Sequence, residues 1–207
     1  EAVIMAGNVS TAEGTLRLID AGAGIIRVGN GTGLICITQY VTRTGSSPAV
    51  GLYRAAAVAS RFNIPVVADG GIRNSGDVVA ALALGASAVM VGTYFAPLPE
   101  SAAPEESVMI DGQSVLRKVH RGMAAAEAIH DRIATRYDDS GNPSEKPQPE
   151  GKRILLEPSA IPLADFMRQE MAKVRSGFNY LGVRSIPELH GKMRSGEIRM
   201  EYVPPAR

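Results

Sequence analysis

Four short apolar runs in this chain each stop at a glycine. They are VIMAG (Val3–Gly7), IIRVG (Ile25–Gly29), IPVVADGG (Ile64–Gly71) and AVMVG (Ala88–Gly92). They are rich in Val and Ile and do not alternate strictly, the pattern of parallel strands buried on both faces. Helical patterns separate them. STAEGTLRLIDAG offers Ser10 or Thr11 as N-cap, with Glu13 in the first turn. AVGLYRAAAVASRFN is alanine-rich and stops at Asn63, before Pro65. SGDVVAALALGA offers Ser75 as a cap and Gly85 as the glycine beyond the helix end. Strand and helix in alternation predict a parallel α/β architecture.

Two parallel architectures compete, a doubly wound sheet and a (βα)8 barrel of the TIM type. Three of the runs lead into polar or glycine-rich loops: Asn8, Gly29–Cys36 and Asp69–Gly71. Functional groups at the ends of successive strands favour the barrel; a doubly wound sheet would gather them at one switch point. Only four of eight strands are present, so half a barrel is expected. Such a half leaves two sheet edges open and much apolar surface exposed. On its own it is expected to associate or to need its other half. The chain opens at once on a strand pattern without an initiator Met, as a segment of a longer protein would.

Beyond Ala96 the pattern changes. Residues 97–107 read as loop, and Arg121–Tyr137 as a helix. Residues 138–151 are polar and rich in Pro and Gly, the composition of a mobile loop. Two further helices are expected in LADFMRQEMAKVRSGFNYLG and SIPELHGKMRSG, with Pro187 at the first helical position after Ser185. The tail EYVPPAR reads as extended.

The stretch RVGNGTGLICITQ (Arg27–Gln39) holds the only cysteine. Gly29, Gly31 and Gly33 let the backbone take positive φ and approach a ligand closely. The amides of such a loop cradle anions, and inward carbonyls hold cations. Cys36 lies at the mouth of the sheet. There it is either a reachable thiolate nucleophile or a small buried thiol in a tight turn, and the residues alone leave both open. Thr38, two residues on, is placed to hold a water or a proton. A formal net charge of +1 gives no electrostatic case for nucleic acid or an anionic membrane surface. A single cysteine excludes an internal disulfide and fits a reducing, cytoplasmic setting. The apolar runs are far too short to span a membrane.

The segment IRVGNGTGLICIT resembles the cysteine-loop signature of the IMP dehydrogenase and GMP reductase family. The resemblance implies that Cys36 attacks the purine C2 of a nucleotide. It also implies that Gly29 and Gly31 face the cofactor NAD. A potassium ion would rest on backbone carbonyls of Gly31, Gly33 and Cys36. VVADGGIRNSGDVVAALALGASAVMVGT resembles the next two strands of the family. There Asp69 would bind the ribose hydroxyls, Gly71 and Gly92 the phosphate through their amides, and Thr93 the phosphate through its hydroxyl. KVHRGMAAAEA resembles the family's YRGMGS segment, with His120 in the tyrosine's place by the phosphate and Met123 near the base. Four positions depart from the family pattern: Leu34 stands for a serine, His120 for a tyrosine, Ala124 for a glycine and Ala125 for a serine.

The dehydrogenase branch carries an Arg-Tyr pair on a flap, the arginine acting as base. Arg136-Tyr137 lies fourteen residues after Gly122, and Glu150 a further fourteen on, where the family's glutamate holds the purine edge. KVRSGFNYLG (Lys173–Gly182) extends the likeness. It therefore implies an NAD-dependent IMP dehydrogenase that makes XMP for guanine nucleotide synthesis, working as a homotetramer with the barrel's N-terminal half. Residues 1–96 would be the second half of the barrel, with the cysteine loop at 29–45. Residues 97–158 would be the nucleotide-binding segment and flap, and 159–207 the helices that complete the catalytic domain. A GMP reductase, or a nucleotide-binding paralogue without catalysis, would share most of these features.

Overall fold

A computed structural model describes residues 2–31, 33–130 and 149–201. Strands β1 (Met5–Val9), β2 (Ile25–Val28), β3 (Val66–Asp69) and β4 (Ala88–Met90) form a parallel sheet in the order β1-β2-β3-β4. Helices α1 (Ala12–Asp20), α3 (Pro48–Ala59) and α4 (Ser75–Ala83) make the crossovers. The order runs one way without reversal. That is the progression of a barrel, whereas a doubly wound sheet reverses at its switch point.

Side chains alternate across the sheet. Ile26, Val28, Val66 and Ala68 face the helices and form the core with Leu52, Ala55 and Ala59. Ile26 is fully buried, which contributes about 1.5–3 kcal/mol relative to an exposed side chain. The alanines of α3 bring that helix close to its neighbours. A Cβ on Gly85 would lie 2.6 Å from the Ala56 Cβ, so glycine is required there, and its φ of +106° ends α4. The opposite face carries Gly7, Arg27, Val67 and Ala88 in one row, with Asp69 beside Met90 in the next. In a closed barrel this face is the interior. Among the described residues, no strand pairs with the outer edges of β1 and β4. Val3 and Ile4 beside β1 are 71% and 64% exposed.

The region after β4 departs from expectation. Residues 105–107, read as loop, enter β5 (Glu105–Ile110), which pairs with β6 (Gln113–Arg121) and through it with β7 (Arg153–Leu156) in an antiparallel sheet. The hairpin turns on Asp111 and Gly112, both at positive φ (50° and 79°), the dihedrals of the tight turn that Asp-Gly favours. Arg121 ends a strand, and helix begins only at residue 126. The rest of the helix expected to Tyr137, the flap pair Arg136-Tyr137, residues 138–148 of the expected loop and all but Glu201 of the tail lie outside the described residues.

Two helices close the described chain, α5 (Leu163–Tyr180) and α6 (Ile186–Ser195). Val174, Val183 and Leu189 pack on Val78, Leu82 and Ala83 of α4. Truncating the fully buried Leu189 to alanine would cost about 2–5 kcal/mol. The capping agrees with the sequence reading at α1 and differs at α4 and α6. Thr11 caps α1 by accepting from the Gly14 amide. Asn74, not Ser75, caps α4, because its side-chain oxygen reaches the Asp77 amide. Ser185 caps α6, which puts Ile186 first and Pro187 second. The Tyr94 hydroxyl donates to Glu170 of α5, which also pairs with Lys173 at 2.6 Å. Beside this contact Tyr94 stacks on Phe95, and Phe166 meets both rings edge-on.

Candidate active site

The ends of the parallel strands meet the cysteine loop around a cavity of 560 Å³. Arg27, Asp69, Gly70, Gly71, Gly92 and Thr93 line it from the sheet, Gly33, Leu34 and Ile35 from the loop, and His120, Arg121 and Met123 from β6 and its exit. Gly70 and Gly71 sit at φ +86° and +81°. Side chains rarely adopt such values, which explains glycine at both. Six of the expected nucleotide-binding positions therefore converge: Asp69, Gly71, Gly92, Thr93, His120 and Met123. Cys36, Thr38 and Glu150 do not line the cavity and lie beside it, on and against the same loop.

The sequence 29–45, read as loop throughout, holds one short helix, α2 (Thr38–Thr42). Thr38 is its first residue. A backbone seam fixes the cysteine loop. The Cys36 amide donates to the Gly33 carbonyl at 3.0 Å, the Ile37 amide to the Glu150 carbonyl at 2.7 Å, and the Lys152 amide to the Ile35 carbonyl at 2.7 Å. The Glu150 and Gly151 amides in turn donate to the Ala124 carbonyl. Three segments distant in sequence thus lie edge to edge. A Cβ on Gly151 would fall 2.6 Å from the Ala125 amide nitrogen, so this crossing tolerates no side chain.

The seam aligns three functional groups. The Cys36 Sγ lies 3.2 Å from the Thr38 Oγ1, and that hydroxyl donates to the Glu150 Oε2 at 2.7 Å. The thiol is half-buried. A hydroxyl between a sulfur and a carboxylate can pass a proton from one to the other, or hold a water in line with both. Glu150, expected at the purine edge, has its carboxylate on Thr38.

Asp69 is held from two sides that the sequence reading did not combine. The Asn8 amide donates to its Oδ2 at 2.8 Å and to the Gly29 carbonyl at 2.6 Å. The Arg27 guanidinium meets the same oxygen at 2.9–3.0 Å. The signal was present: a lone arginine inside IIRVG needs a carboxylate, since a strand otherwise buried cannot leave it unpaired. His120 is half-buried between this cavity and a neighbouring one of 410 Å³. Burial pushes its pKa below the ordinary 6.5.

Gly29 and Gly31 are the positions expected to face the cofactor. The side of Gly31 that a Cβ would occupy is filled by the Gln39 side chain, 2.7 Å away. Gly29 borders an adjoining cavity of 230 Å³, which shares Pro48, Asp69, Gly70, Gly71, Ile72 and Arg73 with the larger one. Neither lines the 560 Å³ cavity. For a cation, Gly31 at φ +72° supplies the needed backbone freedom, and the Gly33 carbonyl keeps a lone pair beyond its bond to Cys36. Among the described residues no three His, Cys, Asp or Glu side chains cluster as metal ligands, and no helix is long and apolar enough to cross a membrane.

Comparison with known proteins places this geometry in context. Residues 1–201 match the IMP dehydrogenase / GMP reductase domain. The chain is 43% identical over 195 residues to inosine-5'-monophosphate dehydrogenase of Aquifex aeolicus, covering 94% of this chain and 38% of that protein. The same enzyme from Rhodopirellula baltica is 41% identical, with 90% and 34% covered. That of Streptococcus pyogenes is 40% identical, with 90% and 37% covered. A solved GMP reductase variant from Trypanosoma brucei, in complex with guanosine 5'-monophosphate, superposes with a TM-score of 0.78 at 31% identity, over 96% of this chain and 41% of that one. The chain thus spans well under half the length of the relatives it matches. The fold is half of a TIM-type barrel.

Proposed function

The chain belongs to the IMP dehydrogenase / GMP reductase family, and on that premise we propose that it is the nucleotide-binding and nucleophile-bearing part of an IMP dehydrogenase. The observation that carries the reading is the aligned Cys36, Thr38 and Glu150 beside a cavity edged by Asp69, Gly71, Gly92 and Thr93. Asp69 accepts hydrogen bonds from the ribose hydroxyls of IMP, held in place by Asn8 and Arg27. The amides of Gly71 and Gly92 and the Thr93 hydroxyl take the phosphate, as exposed amides favour an anion. Met123 packs by the base.

Cys36 adds to the purine C2, and its proton leaves through Thr38 toward Glu150. The C2 hydrogen departs as hydride, leaving the purine joined to Cys36 as a thioimidate. The hydride acceptor would be NAD when bound. Water then adds to C2 and releases XMP and the thiol. Thr38, with Arg136 and Tyr137, activates that water. A neutral arginine is costly, because its solution pKa is above ~12. The Thr38–Glu150 pair offers a second acceptor for the same proton. A potassium ion on the carbonyls of Gly31, Gly33 and Cys36 would hold the loop in its working shape. The working assembly is proposed as a cytoplasmic homotetramer containing the other barrel half.

GMP reductase is the second reading, favoured by the likeness to the Trypanosoma brucei enzyme. The two separate by assay. The intact protein should produce NADH from IMP and NAD; consumption of NADPH with GMP, and none of the first reaction, would replace dehydrogenase by reductase.

A further inference from the structure

The turn that follows β4 has two faces with different partners. The Gly92 carbonyl accepts from the Phe95 and Ala96 amides at 3.0 and 3.1 Å, which closes residues 92–96 into a tight turn. Gly92 and Thr93 line the 560 Å³ cavity. Tyr94, the next residue, does not line it; its hydroxyl donates to the Glu170 Oε2 on α5. Glu170 is 8% exposed, and its other oxygen accepts from the Lys173 Nζ at 2.6 Å. The Ser75 side chain, at the start of α4, adds a bond to the same carboxylate. A buried carboxylate is costly unless it is paired and hydrogen-bonded, and the proposed reaction does not use this one. We propose that Tyr94 and Glu170 are positioning residues of the site: their hydrogen bond fixes the turn 92–96 against α5 and so sets the distance between the Gly71 and Gly92 amides assigned to the phosphate. This rests on the nucleotide reading of the cavity given above.

The strand ladder does not set that distance by itself. The pairing of β3 with β4 ends at Asp69 and Met90, before either glycine. Beyond it Gly70 and Gly71 turn through φ of +86° and +81°, and the chain runs on into α4. Helix α5 is seated closely on α4. Val174 packs on Val78 and Leu82, and a Cβ on Gly177 would lie 2.9 Å from the Val79 Cγ2. So α4 carries the first loop, α5 carries Glu170, and Tyr94 ties the second loop to that helix pair. The Tyr94 ring is held too, stacked on Phe95 at 6.0 Å and edge-on to Phe166 of α5 at 5.1 Å between ring centres. The hydroxyl is the polar end of an otherwise apolar contact. Burial and the adjacent carboxylate push that hydroxyl above its usual range, while the bonds from Lys173, Tyr94 and Ser75 keep Glu170 ionised. Donor and acceptor therefore hold their roles at neutral pH. An anion shared by amides from two loops binds only as well as their spacing matches it.

The test is calorimetry of IMP and GMP binding to the intact protein, beside kcat for whichever nucleotide it turns over and thermal melts of each variant. Tyr94→Phe removes the hydroxyl and keeps the ring. The proposal expects it to weaken both nucleotides about tenfold, the scale of one hydrogen bond to a charged group. The kcat at saturation, and the Ki of inosine, which lacks the phosphate, should stay within about twofold. Glu170→Leu should give the same pattern. Glu170→Gln, whose amide oxygen still accepts from Tyr94, should bind both nucleotides within about threefold of the wild type. A lower melting temperature in Tyr94→Phe with unchanged nucleotide Kd makes the pair purely structural and overturns the proposal. Equal weakening of nucleotides and inosine overturns it as well, since the loss would not be tied to the phosphate; either result leaves the nucleotide site standing. No binding of either nucleotide to the wild type removes the nucleotide reading, and the proposal with it.

Discussion

The Thr38 hydroxyl donates to the Glu150 Oε2 at 2.7 Å although 112 residues separate the two in sequence. The same hydroxyl lies 3.2 Å from the Cys36 Sγ. A proton relay and a purine-edge contact make different demands on Glu150. If it serves the relay, Glu150→Gln lowers kcat about 10²-fold or more, with KM within about twofold. Thr38→Val gives the same signature. A raised KM with kcat preserved in Glu150→Gln would assign the carboxylate to substrate binding instead.

Arg27 and Asn8 converge on one oxygen of Asp69. Replacing Arg27 with Met removes the partner and leaves the carboxylate less well aimed. The expected result is a rise of about tenfold in KM for IMP, the scale of one charged hydrogen bond, with kcat changed much less. The pair is partly exposed, so thermal stability should fall by less than ~1 kcal/mol. Steady-state kinetics beside thermal melts separates the two effects.

Glu170 links α5 to the residue after Thr93. Burial alone would raise its pKa, but hydrogen bonds from Lys173, Tyr94 and Ser75 outweigh burial and hold it below the ordinary 4.5. A carboxylate depressed on folding stabilises the fold above its unfolded pKa, and that contribution is lost as pH falls through the folded value. Urea melts from pH 7 downward should show stability declining below about pH 4.5, and Glu170→Gln should flatten that decline. An unchanged slope in the variant would mean that other carboxylates carry it.

The exposed strip beside β1, with Val3 and Ile4 at the open edge, should make the 207-residue chain associate when expressed alone. Sedimentation velocity should show dimers or larger species, and co-expression with a complementary four-stranded barrel half should give one defined complex. A well-folded monomer would contradict the half-barrel account.

The parallel half of the fold was legible because each strand is a short apolar run that ends at a glycine, a pattern that local sequence carries by itself. The antiparallel sheet was not recognised. Strand β5 is exposed except at Val108, and β6 mixes exposed with buried positions, so neither carries the buried apolar run that marks β2 and β3. Only the Asp111-Gly112 turn announced them. The site divides in the same way. Asp69, Gly71, Gly92 and Thr93 lie at or just beyond strand ends, and the resemblance to the family named them. The contacts of Glu150 with Thr38 and of Arg27 with Asp69 depend on tertiary closure, which no local spacing encodes. The contact of Tyr94 with Glu170 was equally invisible, since it joins residues 76 apart in sequence.

Covalent capture tests the central claim most directly. The intact protein would be mixed with IMP and NAD, quenched in acid during steady turnover, digested, and its Cys36 peptide weighed by mass spectrometry. The account predicts that a substantial fraction of this peptide carries the mass of the purine nucleotide, that the adduct disappears when IMP is exhausted, and that Cys36→Ala forms neither adduct nor XMP. Steady XMP formation with Cys36 unmodified, or undiminished in Cys36→Ala, would contradict it.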